Sequence, residues 1–377
     1  MKKILLIGSL NLFWFRKILE NVVVPIFGPE NIWVLTEPAD EANKTPYTDK
    51  GIQVLTTTAV GGRLSFLTGL LKDVAKVRAQ VHFDYIHVQY VSFKSLLLAR
   101  LIQQRGTKLL ATFWGSDISV RDDRTVKRLD FLLKGFDEII ATAARTEYVA
   151  RGKLSAKNVA KLCTIGLGLE SLDTIHTLKK SGADRDQIRE TMGIPTDAVT
   201  VAVGYNARPM QQHLPVLNAL GTLPPEIKEK LFIMLPMTYL REGNEAYIDQ
   251  VRSTCEAQGF RYREFDRFMV DPENSYLRMS ADIYINAQES DALSGSVLEF
   301  MYSGAVMLNG EWLNYPGLRE QGLVFYEFDE FSHLPDMITD YLDGKISCGS
   351  EESLEAIYRG SGWKNTADKH RTIYKMD

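Results

Sequence analysis

Cysteine is scarce: Cys163, Cys255 and Cys348 are the only three in 377 residues, odd in number and widely spaced. That pattern excludes a disulfide framework and a cysteine-based metal site, and it points to a reducing compartment. Six histidines include no His-x-x-x-His or His-Glu pair, and no Asp-x-Asp is placed to hold a divalent ion. No metal or other cofactor is therefore expected. No apolar run approaches the ~20 residues that span a bilayer. The opening Met1-Lys-Lys-Ile-Leu-Leu-Ile is broken by Gly8, Ser9 and Asn11 and has no small-residue cleavage site, so it reads as a first strand rather than a signal peptide. Gly8-Ser-Leu-Asn11 also lacks the Gly-x-Gly-x-x-Gly spacing, which counts against a dinucleotide oxidoreductase. Low-complexity tracts and short-period repeats are missing as well.

What is present is ordinary globular composition, 45% hydrophobic and 24% charged, in a chain long enough for two domains. The net charge of −4 hides a split. Residues 1–165 hold 24 Lys and Arg against 15 Asp and Glu, about +9, which leaves about −13 for the rest. Leu12-Phe-Trp-Phe-Arg-Lys17, Arg63-Leu-Ser-Phe66 and Phe93-Lys94 set aromatics beside cations, a mixture that suits an anionic membrane surface as well as a packed core. The basic residues follow no nucleic-acid recognition motif.

In the first half, short apolar runs (Lys3–Ile7, Ile32–Leu35, Gln53–Leu55, Tyr85–Val88, Lys108–Phe113, Glu138–Thr142, Lys161–Ile165) alternate with helical patterns. A second alternating set begins at Ala198 and runs through Leu231–Leu235, Ile283–Asn286, Val306–Leu308 and Leu323–Phe325. Between them, 166–195 reads as a connector that includes a charged helix ending at Met192-Gly-Ile-Pro195. Two successive parallel-sheet α/β domains follow, with ligands expected beyond the carboxyl ends of the strands and in a cleft between the domains.

Several strand exits carry suitable chemistry. Trp114-Gly-Ser-Asp117 can line a sugar pocket, although Gly115 serving a turn and Asp117 capping the next helix explain it equally well. Thr200-Val-Ala-Val-Gly204 exits into Tyr205-Asn-Ala-Arg208, whose guanidinium suits a phosphate or simply a solvated surface, and then into Gln212-His213. Another exit presents Thr238-Tyr239. The densest is Glu289-Ser-Asp-Ala-Leu-Ser-Gly-Ser-Val-Leu-Glu299: Asp291 and Glu299 flank the amides of Ser294, Gly295 and Ser296 where a helix begins. Anion-binding amides between two acceptor carboxylates fit a sugar nucleotide; the plainer alternative is a capping box, Ser296-Val-Leu-Glu299.

With these residues in place, the chain resembles the GT-B glycosyltransferases of the retaining, group-1, Glu-x7-Glu type. The opening strand, Trp114-Gly-Ser-Asp117, the Gly204-x-x-x-Arg208 turn, Asp291-x7-Glu299 before Gly304-Ala-Val, and a last helix after Ser361-Gly-Trp363 fall in the family's order. Shorter likenesses, Gly204–His213 and Pro236–Tyr239 with Asn244–Ile248, are to lipid-linked fucosamine transferases. The resemblance implies two Rossmann-like domains facing a central cleft. Residues 1–168 with the closing helix in 361–377 would bind the acceptor and 185–360 the donor, and that helix would cross back to the first domain.

It also implies roles. Asp291, standing where the family has Glu, would accept from the donor sugar's hydroxyls with Glu289 in support, and Glu299 from the ribose. Arg208, Tyr205, Gln212, His213, Thr238, Tyr239 and the amides of Ser294, Gly295 and Ser296 would complete the donor site. Asp117 is a candidate proton receiver beside Trp114, with Gly8, Asn11 and His87 at the acceptor. The family's phosphate-binding Lys is replaced by Gln211, Gln212 or His213. The expectation is transfer from a nucleotide-diphosphate sugar to a hydroxyl of a glycan, glycolipid or glycoprotein, lipid-linked or in the cell envelope. It would proceed with retention in the cytoplasm, peripheral on the inner membrane face. Rivals are a GT-B sugar-nucleotide epimerase and a non-catalytic homologue acting as a binding partner.

Overall fold

The computed structural model describes residues 2–58, 63–291 and 293–375. It divides into two compact units, Met1–Gly168 with Trp363–Asp377, and Leu169–Gly362. The side chains of Arg63-Leu-Ser-Phe66, one of the aromatic–cation clusters, lie outside what is described.

The first unit is built on β1 (Ile4–Ile7), β2 (Ile32–Thr36), β3 (Gln53–Thr56), β4 (Tyr85–Gln89), β5 (Lys108–Phe113), β6 (Glu138–Ala141) and β7 (Leu162–Thr164). All pairs are parallel, in the order β3-β2-β1-β4-β5-β6-β7. A strand covered on both faces must be apolar at every position, and β1, β2 and β4 are buried throughout. Period-two alternation sends Leu5, Ile7, Ile86 and Val88 to one face and Ile4, Leu6 and Tyr85 to the other. That second face is closed by the last helix, Trp363–Tyr374, whose Tyr374 packs on Phe27 and Tyr85.

The second unit holds β8 (Val199–Val203), β9 (Leu231–Leu235), β10 (Arg261–Glu264), β11 (Ile283–Asn286), β12 (Val306–Gly310) and β13 (Tyr326–Phe328), again parallel, in the order β10-β9-β8-β11-β12-β13. At the amino ends of β8 and β11 the Asp282 carboxylate accepts from the Arg185 and Arg189 guanidiniums and from Thr200 N–H, leaving the opposite ends for ligands.

Three expectations change. Residues 166–195 are not a free connector: Glu170–Ser181 and Arg185–Thr191 are helices that put Leu172, Ile175 and Ile188 into the core. Their charged outer faces hid that stripe. The charged edge strand β10 was missed because Arg-Tyr-Arg-Glu has no apolar alternation. Leu323 and Phe325 are core residues, but the strand beside them is Tyr326–Phe328.

Candidate functional site

In each sheet the strand order reverses beside the first strand, at β1/β4 and at β8/β11, and loops leaving opposite ways open a crevice there. In the second unit, β8 leads into Gly204, whose φ of +65° and lack of a side chain are both required: a Cβ would lie 2.8 Å from His213 Nε2. Tyr205 N–H then donates to Gln211 Oε1 (3.0 Å), Gln211 Nε2 to Gln288 Oε1 (2.9 Å), and Gln212 Nε2 to the Ala287 carbonyl (2.7 Å). These bonds stitch the β8 exit to the β11 exit. Tyr205 OH joins them at Gln288, and its ring sits 6.3 Å from that of Tyr239, which burial pushes up to about 12. Thr238 is buried beside it.

Of the three residues that could replace the family lysine, none supplies a cation. Gln211 and Gln212 are spent on the loops. His213 is enclosed, hydrogen-bonded to Tyr247, and lowered by burial to about 3. Arg208 is exposed and, among the described residues, has no ion-pair partner.

Beyond β11, Ser294 precedes the helix Gly295–Tyr302 without a capping bond from its side chain, and Gly304 (φ +96°) follows the helix end. Asp291 orders this loop: its Oδ2 accepts from Ser294 N–H and from Tyr315 OH, each at 2.7 Å. One amide of the cradle is therefore taken. Those of Gly295 and Ser296, in the first turn, have no intrahelical acceptor. The capping box fails, since the helix starts before Ser296 and Glu299 turns elsewhere. Glu299 Oε2 accepts from Arg278 Nε (3.0 Å), while Arg278 Nη2 donates to Ser296 Oγ (3.1 Å). Glu289 is exposed.

Unsatisfied buried polar atoms gather here. In the second unit, among the described residues, they are His213 Nε2, Arg278 Nη1, Tyr284 OH, Asn286 Oδ1, Gln288 Nε2 and Ser294 Oγ. Native interiors leave few such atoms, and all six lie on or beside the β8 and β11 exits. Sequence reading missed Arg278, Gln288 and Tyr315. The first had a signal: a lone arginine among Tyr276, Leu277 and Met279, directly before a buried strand.

The first unit has its own crevice at β1/β4, a cavity of about 580 Å³ lined by Gly8, Leu12, Leu35, Gln89, Tyr90 and Lys94 among others. Only Gly8 of the four residues expected at an acceptor lines it. His87 is a correction: wholly buried, it hydrogen-bonds Tyr374 OH and Thr112 Oγ1 through its two ring nitrogens and so anchors the closing helix. Asn11 bonds the Pro38 carbonyl, and Trp114 Nε1 donates to Gln89 Oε1. Asp117 is the second correction. Its enclosed carboxylate accepts N–H bonds from Val91, Trp114 and Gly115, so in this structure it organises the β4 and β5 exits rather than facing the cavity. Burial raises its pKa against the pull of those bonds.

No family model matches the sequence, and no curated protein does. Solved structures do. HepE from Anabaena, solved in complex with UDP, is similar over 99% of this chain and 99% of its own, with a TM-score of 0.69 at 14% identity. A glycosyltransferase from Rickettsia africae is similar over 99% and 98% (TM-score 0.71, 14% identity), and the lipopolysaccharide outer core galactosyltransferase WaaB over 99% of each chain (TM-score 0.59, 11% identity). The fold is GT-B. Within the GT-B frame the described residues contain no cluster of three metal-ligating side chains and no helix long and apolar enough to cross a membrane.

Proposed function

We propose that this chain is a glycosyltransferase that moves a sugar from a nucleotide-diphosphate donor to an acceptor hydroxyl with retention. The observation that carries this reading is the concentration of unsatisfied buried polar atoms at the β8 and β11 exits, the loops that also carry Arg208 and lead to Glu299. The diphosphate rests on the Gly295 and Ser296 amides and on the Arg208 guanidinium, whose charge stabilises the phosphate oxygens as the bond to the anomeric carbon breaks. Glu299 accepts from the ribose, and Asp291 with Glu289 from the sugar. Asp117 being enclosed, the acceptor's proton passes to the leaving phosphate oxygen as the acceptor oxygen bonds the anomeric carbon. HepE, similar over the whole chain, is solved in complex with UDP, which supports a nucleotide-diphosphate donor.

The acceptor belongs to the first-unit cavity. Its apolar wall of Ile7, Leu12, Leu35 and Leu98 beside Lys94 favours an acceptor joined to a lipid. The same unit holds 28 Lys and Arg against 17 Asp and Glu, which favours an anionic membrane as the surface it works on. A panel of nucleotide sugars tests the donor half: the true donor raises the melting temperature by mass action, and a panel that leaves it unmoved refutes the reading. One observation favours a second reading, nucleotide binding without transfer: neither Gln211 nor His213 replaces the missing phosphate cation. Tight donor binding with no product from any lipid-linked acceptor would select it.

A further inference from the structure

Arg278 has no place in the sequence-level account of the site, yet it is the most constrained charged side chain there. It rises from the helix Glu273–Met279, its side chain is 5% exposed, and its guanidinium lies 4.4 Å from the centre of the Phe300 ring. Nε and Nη2 are committed to Glu299 Oε2 and Ser296 Oγ, both on the helix whose first amides face the site. Glu299 Oε1 has no bond among the described residues and is not among the sealed polar atoms, so it is the oxygen left for a ligand. A glutamate has three rotatable side-chain bonds, and aiming one oxygen costs conformational entropy unless a partner fixes the other.

We propose that Arg278 is a positioning residue. By holding Oε2 it fixes the Glu299 carboxylate so that Oε1 meets a hydroxyl of the donor's ribose, and it sets the enzyme's preference for nucleotides that carry that hydroxyl. This rests on the donor reading above. The centre of the Phe300 ring packs 4.4 Å from the guanidinium carbon, and the bond to Ser296 Oγ gives the guanidinium a second fixed point beside Glu299. Two of its nitrogens are taken by Glu299 and Ser296 and the third, Nη1, is sealed, so the arginine acts on the ribose through Glu299. Its loss is therefore distinguishable from loss of a phosphate ligand, which would weaken every nucleotide alike.

The test is a cycle between protein and ligand. Binding of UDP, dTDP, GDP and ADP to the intact protein selects a base; its ribo, 2′-deoxy and 2′,3′-dideoxy diphosphates are then titrated against wild type, Arg278→Met, Arg278→Lys and Glu299→Gln. For wild type, affinity should fall about tenfold or more when the recognised hydroxyl is removed, as expected for a bond to a charged acceptor. For Arg278→Met the ribo form should bind weakly and the hydroxyl-free form nearly as wild type binds it, so that the discrimination collapses. Arg278→Lys should restore part of it. Should Arg278→Met fail to fold, Arg278→Lys against Glu299→Gln carries the comparison. Undiminished discrimination in the arginine variants, or none in wild type, overturns the proposal while leaving the donor site standing. Failure of wild type to bind any of the four diphosphates overturns both.

Discussion

At the scale of single residues, the site depends on which carboxylates are free and which are spent. Asp117 looked available from its place after β5, and the structure shows it holding three backbone N–H groups. Asp117→Asn keeps the size but one acceptor oxygen, so at least one N–H is orphaned at about 1–3 kcal/mol. The melting temperature should drop by several degrees, whereas a base lost from the chemistry would cut turnover and leave melting unchanged. Arg208→Ala should behave the opposite way, cutting transfer by at least about a hundredfold with melting unchanged. Glu299→Ala should cut transfer as much and also lower melting, because it leaves the buried Arg278 guanidinium unpaired. Wild-type turnover in either would remove the proposed site. Asp291, Glu299 and Arg208 were visible in sequence because their spacing from a buried strand is local. Arg278 and Tyr315 were not, because a side chain that reaches the site from another helix or loop leaves no spacing to read.

At the scale of elements, apolar runs located eleven of the thirteen strands and pointed three residues ahead of a twelfth, because a strand buried on both faces leaves an unbroken hydrophobic signature. The edge strand β10 and the helix Glu170–Ser181 escaped since their outward charge dilutes that signature. The helix Asp123–Leu133 divides sharply between a buried and an outward face. Val126, Leu129 and Leu133 are buried, while Arg124, Lys127, Arg128 and Phe131 face outward and, with Phe93, line a hollow of about 560 Å³. If this face meets an anionic bilayer, Lys127→Glu with Arg128→Glu should release the protein from vesicles containing phosphatidylglycerol, by about 1 kcal/mol per cation removed. Binding that survives both changes, or is equal on zwitterionic vesicles, would exclude this helix as the contact.

At the scale of the molecule, stability is tied to acidity through buried neutral imidazoles. Burial lowers His87 well below its ordinary value, His213 to about 3 and His370 to about 4. The unfolded chain therefore binds protons that the folded one refuses, and stability present above pH ~6.5 is lost as pH falls toward those lowered values. All three act in the same direction between pH 7 and pH 5. Melting at pH 5 should be well below that at pH 7, and His213→Gln should reduce the difference; a flat profile would show these rings to be hydrated.

The account as a whole stands on the β8/β11 crevice as the seat of a diphosphate. Its most direct test is a structure determined with the nucleotide donor bound. Phosphate oxygens within about 3 Å of the Gly295 and Ser296 nitrogens, and a ribose hydroxyl at Glu299 Oε1, are the predicted result. A nucleotide lodged in the first unit's cavity, or on any other surface, would contradict it.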